Sequence, residues 1–124
     1  MFDPSHSWIQ MEDEFIARCG LSEHCLDAID IIEYVEFPEV DMEIKKGEQV
    51  AVLESNIGYH KYLSPVAGRI TEINRVLEEH PELMNTDPYG EGWIYKLDVK
   101  EHREFEELMS EDEYRTYVAE QGDI

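Results

Sequence analysis

ESNIGYHKYLSPVAG, residues 54–68, places two short β-forming runs around a turn. Asn56-Ile57-Gly58 is the turn: asparagine and glycine tolerate left-handed backbone and favour tight hairpins. Val50-Ala51-Val52-Leu53 leads in as a short, mostly buried strand, and Tyr59 to Leu63 returns. Ser64-Pro65-Val66-Ala67-Gly68 then interrupts the pairing. Upstream, Lys45-Lys46-Gly47-Glu48 is another turn, whose glycine can supply a positive φ. Ile31, Ile32, Tyr34, Val35 and Phe37 form a β-rich run that ends at Pro38. Downstream, Arg69 to Asn74 alternates, which assigns Ile70 and Ile73 to different faces. Several short strands with close turns between Glu33 and Asn74 predict a small sandwich or flattened barrel.

The flanks add to this frame. Ser5 to Arg18 alternates loosely and breaks at Glu12-Asp13-Glu14, the pattern of a hairpin with an acidic turn. Ser22 is placed to cap a short amphipathic helix over 22–29, with Glu23 in its first turn. Arg75 to His80 forms a helical turn stopped by Pro81, residues 85–92 are a loop rich in turn formers, and Trp93 to Val99 is a final strand. Ser110-Glu111-Asp112-Glu113 is a capping box. It opens a C-terminal helix over about 110–120, whose Tyr114, Tyr117 and Val118 form one apolar stripe. Residues 121–124 are expected to fray.

A chain of 124 residues, 42% hydrophobic, is read as one domain over 1–124 with one modest core. Thirty acidic residues against ten basic ones give a formal net charge of −20 at pH 7. That charge opposes nucleic acid and anionic membrane surfaces, and favours solubility and basic protein partners. No apolar run nears the ~20 residues needed to span a bilayer. The first ten residues lack the pattern of a secretory signal, so a cytoplasmic protein is expected. Cys19 and Cys25 are too few for a disulfide framework and read as buried or half-buried free thiols.

The 54–68 stretch resembles the swinging-arm hairpin of the glycine cleavage system H-protein family, which typically has Glu-Ser-Val-Lys-Ala there. The likeness extends over residues 6 to 118. His6-Ser7-Trp8-Ile9 resembles the family's His-x-Trp segment, and Gly20 to Ile29 is similar to its first helix. Val35-Glu36-Phe37-Pro38-Glu39-Val40 is similar to Val-Glu-Leu-Pro-x-x-Gly, with Asp41 in place of the glycine. Asn85-Thr86-Asp87-Pro88-Tyr89-Gly90-Glu91-Gly92-Trp93 resembles a long and unusual family motif. The resemblance implies a mainly β, lipoyl-domain-like barrel-sandwich hybrid with short peripheral helices. It also implies a role without a catalytic site of its own: attaching, presenting and docking a lipoyl arm. By the same resemblance, Ile57 occupies the position of the lysine that carries lipoate.

An isoleucine has no amine to form that amide, so no cofactor is expected at the usual place. Five lysines exist: Lys45, Lys46, Lys61, Lys96 and Lys100. Only Lys61 lies near the turn, four residues past Ile57. Bringing it to the tip would shift the register, and a one-residue slip exchanges core and solvent faces. The leading expectation is a non-lipoylated binding module in glycine cleavage or lipoate-linked metabolism. Glycine cleavage components or a lipoate-attaching enzyme are its candidate partners, with Glu54, Asn56, Ile57, Gly58 and Tyr59 at the contact and Tyr62 nearby. Two alternatives stand beside it: a lipoyl carrier modified at Lys61, and a structural or regulatory subunit of an unrelated complex. His6, His24, His60, His80 and His102 are scattered without metal-binding spacing, so no metal is expected.

Overall fold

In a computed structural model, which describes residues 1–121, the chain forms two β-sheets sharing one core. The elements run β1 (Ser7–Met11), β2 (Ile16–Leu21), α1 (Glu23–Ile29), β3 (Ile32–Glu36), β4 (Glu43–Ile44), β5 (Gln49–Ser55), β6 (Gly58–Leu63) and β7 (Gly68–Ile73). Then come α2 (Val76–Glu79), α3 (Leu83–Thr86), β8 (Tyr95–Val99), a 3-10 helix (His102–Glu107) and α4 (Glu111–Gln121). One sheet has the order β1-β2-β8-β7-β4 and the other β3-β5-β6, and neighbouring strands in both are antiparallel. The ladders stay in two sheets and do not close into a barrel. The mainly β sandwich with peripheral helices is the fold the sequence leads one to expect. Of the stretch expected to fray, Gln121 ends α4 and residues 122–124 lie outside the described part.

Local chemistry explains the elements. Asp13 Oδ1 accepts the N–H groups of Phe15 and Ile16, both at 2.8 Å, and so closes the acidic β1–β2 turn. Ser22 Oγ accepts the Cys25 N–H and caps α1. At α4 the capping box is complete: Ser110 N–H donates to Glu113 Oε1 at 2.9 Å, and Glu113 N–H donates to Ser110 Oγ at 3.2 Å. Gly47 takes φ +83°, as its turn requires. Asp41, in the place where the resemblance has glycine, sits at φ +73°.

The core draws Val35 and Leu53 from the smaller sheet and Ile9, Ala17, Cys19, Ile70 and Leu97 from the larger. Both cysteines are buried free thiols, and burial pushes the Cys25 thiol up to about 12. A hydroxyl chain crosses the interior: Tyr95 donates to Ser64 Oγ at 2.8 Å, and Ser64 donates to Val66 O at 2.7 Å. Ser64 thus anchors the Ser64–Gly68 interruption to the core.

Three expectations change. Ile70 and Ile73 do not lie on opposite faces, because Thr71 is an extra residue in the β7–β8 register and both isoleucines pack on the core. Tyr62, read as lying near the tip, is turned into the core. It is fully buried, its hydroxyl donates to Gly20 O at 2.9 Å, and its ring meets Tyr95 edge-on. The strand read from Trp93 begins at Tyr95, after a loop that also contains the short helix α3.

Candidate functional site at the tip of the β5–β6 hairpin

At the hairpin end β5 and β6 pair without a gap: Ser55 faces Gly58, Glu54 faces Tyr59, Leu53 faces His60 and Val52 faces Lys61. Asn56 and Ile57 are therefore the whole of the loop. Of the turn residues only Gly58 has a positive φ, at +152°; Asn56 stays on the ordinary side. Asn56 contributes hydrogen bonds. Its N–H donates to Ile31 O, and its Oδ1 accepts the Ile31 N–H, both at 3.1 Å. The tip is thereby tied to the start of β3.

Ser55 braces the turn from below. It is buried, its Oγ accepts the Ile57 N–H at 3.2 Å, and the same hydroxyl donates to Gly58 O at 3.3 Å. The result is a fixed backbone carrying an exposed apolar side chain: Ile57 is 65% exposed. Ser55 belongs with the site residues named from sequence, and the Glu-Ser pair in the hairpin motif was the signal for it.

The outer face of the smaller sheet continues the surface. Tyr34 on β3, Glu54 on β5 and Tyr59 on β6 are direct cross-strand neighbours in one row. Tyr34 is 58% and Tyr59 76% exposed, so the half-buried Glu54 runs between two outward tyrosines. Tyr34 reaches this face because Glu33 is an extra residue in the β3–β5 register. It lets Ile32 point inward and Tyr34 outward although they are two apart. Ile31, also exposed, completes an apolar rim around the tip. Sequence reasoning missed Tyr34 and Ile31, since a bulge leaves no mark in a β-rich run.

The lysines lie elsewhere. Lys61 is exposed on β6, paired with Val52, about 10 Å back from Gly58 along the strand. Lys46 pairs with Glu107, Lys96 with Glu12 at 2.8 Å, and Lys100 with Glu43 at 3.8 Å. Lys45 and Lys61 make no ion pair among the described residues. The described residues contain no cluster of three or more histidines, cysteines or acids arranged to hold a metal, and no helix long and apolar enough to cross a membrane. The histidines are less scattered than their spacing suggests: the His6 and His24 rings lie 5.7 Å apart, and His60 Nε2 is 3.8 Å from Cys25 Sγ.

A family model described as glycine cleavage H-protein matches residues 1–121. The chain belongs to the glycine cleavage H-protein family. The glycine cleavage system H protein of Thermotoga maritima is 37% identical over 120 residues, covering 97% of this chain and 96% of that one. The namesake from Thermus thermophilus is 40% identical over 114 residues, covering 92% and 88%. A crystal structure of a glycine cleavage system H protein from Mycobacterium marinum superposes with a TM-score of 0.82 at 26% identity, over 95% of this chain and 94% of that one. H-proteins are carriers that normally hold lipoate and do no catalysis of their own. In this member of the family the hairpin expected to present the arm is fully formed, and its two-residue loop is Asn56-Ile57.

Proposed function

We propose that this H-protein homologue is not lipoylated at the usual position and works as a protein-binding module in glycine cleavage or lipoate-linked metabolism. The observation that carries the reading is Ile57: an apolar side chain 65% exposed on a turn held by Ser55 and Asn56. A lipoyl amide needs a primary amine at the tip, and neither loop residue has one. The exposed Ile31, Tyr34 and Tyr59 supply the kind of apolar and aromatic surface that docking sites use. The excess of 20 negative charges steers such a surface toward basic partners.

Candidate partners are the decarboxylase, aminomethyltransferase and dihydrolipoyl dehydrogenase of glycine cleavage, or a lipoate-attaching enzyme. Calorimetric titration of each purified component tests the assignment. Binding of at least one component is expected, weakened about tenfold or more by Ile57→Asp at unchanged stability, as for a buried interface anchor. No binding to any of the four, or full binding by the variant, overturns it. The second reading, a carrier loaded on Lys61, draws on that side chain being exposed and unpaired among the described residues. Its mid-strand place on a hairpin with no slip at the tip argues against it.

A further inference from the structure

Away from the hairpin tip, the segment before β1 and α4 are joined through one buried hydroxyl. Tyr114 of α4 is 5% exposed, and its hydroxyl lies 2.7 Å from His6 Nδ1 and 2.7 Å from Ser22 Oγ. Phe2 stacks on the Tyr114 ring with centroids 4.4 Å apart, and Tyr117 donates to Pro4 O at 3.3 Å. Ser22 N–H donates to His6 O at 2.9 Å, which ties the segment to α1 as well. His6 itself sits at φ +71°. Three elements therefore meet at the His6–Tyr114–Ser22 contact.

Only one direction of the hydrogens satisfies every group in this contact. Ser22 Oγ accepts the Cys25 N–H at 3.2 Å and has Tyr114 as its one other side-chain partner among the described residues, so its own hydrogen is satisfied only by donating to Tyr114, which then donates to the bare Nδ1 of neutral His6. A second proton on the imidazole puts a hydrogen on Nδ1 and reverses the chain. Tyr114 must then donate to Ser22, and the Ser22 hydrogen, on a fully buried residue, loses its acceptor. An unsatisfied buried donor is costly. We propose that the contact is a proton-operated clasp: protonation of His6 weakens the hold of the N-terminal segment and α1 on α4.

The surroundings push in the same direction. Burial lowers the His6 pKa, and the neighbouring His24 and His60 lower it further. From α1, His24, Glu23 and Asp27 face this region, and His24 Nε2 is buried without a partner. From β6 comes His60, itself lowered by burial. From α4 come Tyr114, Tyr117, Glu111 and Arg115, and from the N-terminal segment the Met1 ammonium and Asp3. Asp3 is held above its ordinary value by burial, so its own protonation favours the folded state and works against the opening. A histidine lowered in the folded state binds its proton more readily when released. The clasp is therefore whole above about pH 6.5 and weakens as pH falls below that.

Amide exchange followed by NMR on the full chain at pH 7.5 and pH 5.5, corrected for intrinsic rates, tests this. Protection of Tyr114 to Val118 is expected to fall about tenfold relative to Leu97 in β8. His6→Asn, which suits a left-handed position and does not titrate, should hold that ratio constant. Tyr114→Phe should lower α4 protection at both pH values alike. Equal loss in α4 and β8, no loss in α4, or the same loss in His6→Asn overturns the clasp.

Discussion

The loop over residues 85–93 and the tip of the β5–β6 hairpin both lie in stretches that resemble H-protein motifs, yet they constrain their residues in opposite ways. In the loop almost every side chain or missing side chain is accounted for by a neighbour. A Cβ on the buried Gly92 would come within 2.7 Å of Leu83 O, 2.8 Å of Met84 Cα and 2.9 Å of Asp87 O, all of them backbone atoms. Asp87 Oδ2 accepts the Glu91 N–H at 2.9 Å, and the Tyr89 hydroxyl accepts the Glu23 N–H at 3.0 Å. Asn74 reaches in from the end of β7, donating to Glu91 O at 2.7 Å and Trp93 O at 2.8 Å. At the tip the backbone is held as firmly, but the Ile57 side chain projects into solvent. The loop sequence answers to the fold; the side chain at position 57 is far less constrained by it.

This contrast orders the expected effects. Gly92→Ala should be the most damaging, destabilising the protein by about 2–3 kcal/mol in urea unfolding, because backbone cannot move aside for the new methyl. Asn74→Ala should cost about 2 kcal/mol by leaving two carbonyls without their donor. Ser55→Ala should cost about 1 kcal/mol and speed exchange of the Ile57 amide, since only the brace is lost. A smaller loss is expected on moving from pH 7.5 to 5.5. His6 and His60 are both lowered by burial, so their contribution is present above about pH 6.5 and fades below it. Asp13 and Glu113, lowered by hydrogen bonds from backbone amides, lose theirs only at more acid pH, below about 4. Ile57→Ser should change stability by no more than about 0.5 kcal/mol, as for an ordinary surface substitution. If that variant unfolded as readily as Gly92→Ala, the distinction between loop and tip would collapse.

How much of this was legible in the sequence depended on distance along the chain. Turns and caps are written in adjacent residues: Asn56-Ile57-Gly58, the Asp13 turn, the Ser22 cap and the Ser110–Glu113 box all follow from local hydrogen-bonding chemistry. Register was not. Single extra residues at Glu33 and Thr71 break the alternation and reassign Tyr34 to the outer face and Ile73 to the core. α3, four residues without a side-chain cap, and β4, two residues long, are too short to leave a period. The neighbourhood of His6, His24 and His60 forms from three distant segments, so no spacing rule reports it.

Intact-mass measurement of the protein co-expressed with a lipoate ligase, with the Ile57→Lys variant in parallel, tests the central claim most directly. The wild-type chain should keep its unmodified mass while Ile57→Lys gains one lipoyl group at the new amine, the braced hairpin still being recognised. A lipoyl adduct on the wild-type chain, mapped to Lys61, would contradict the account.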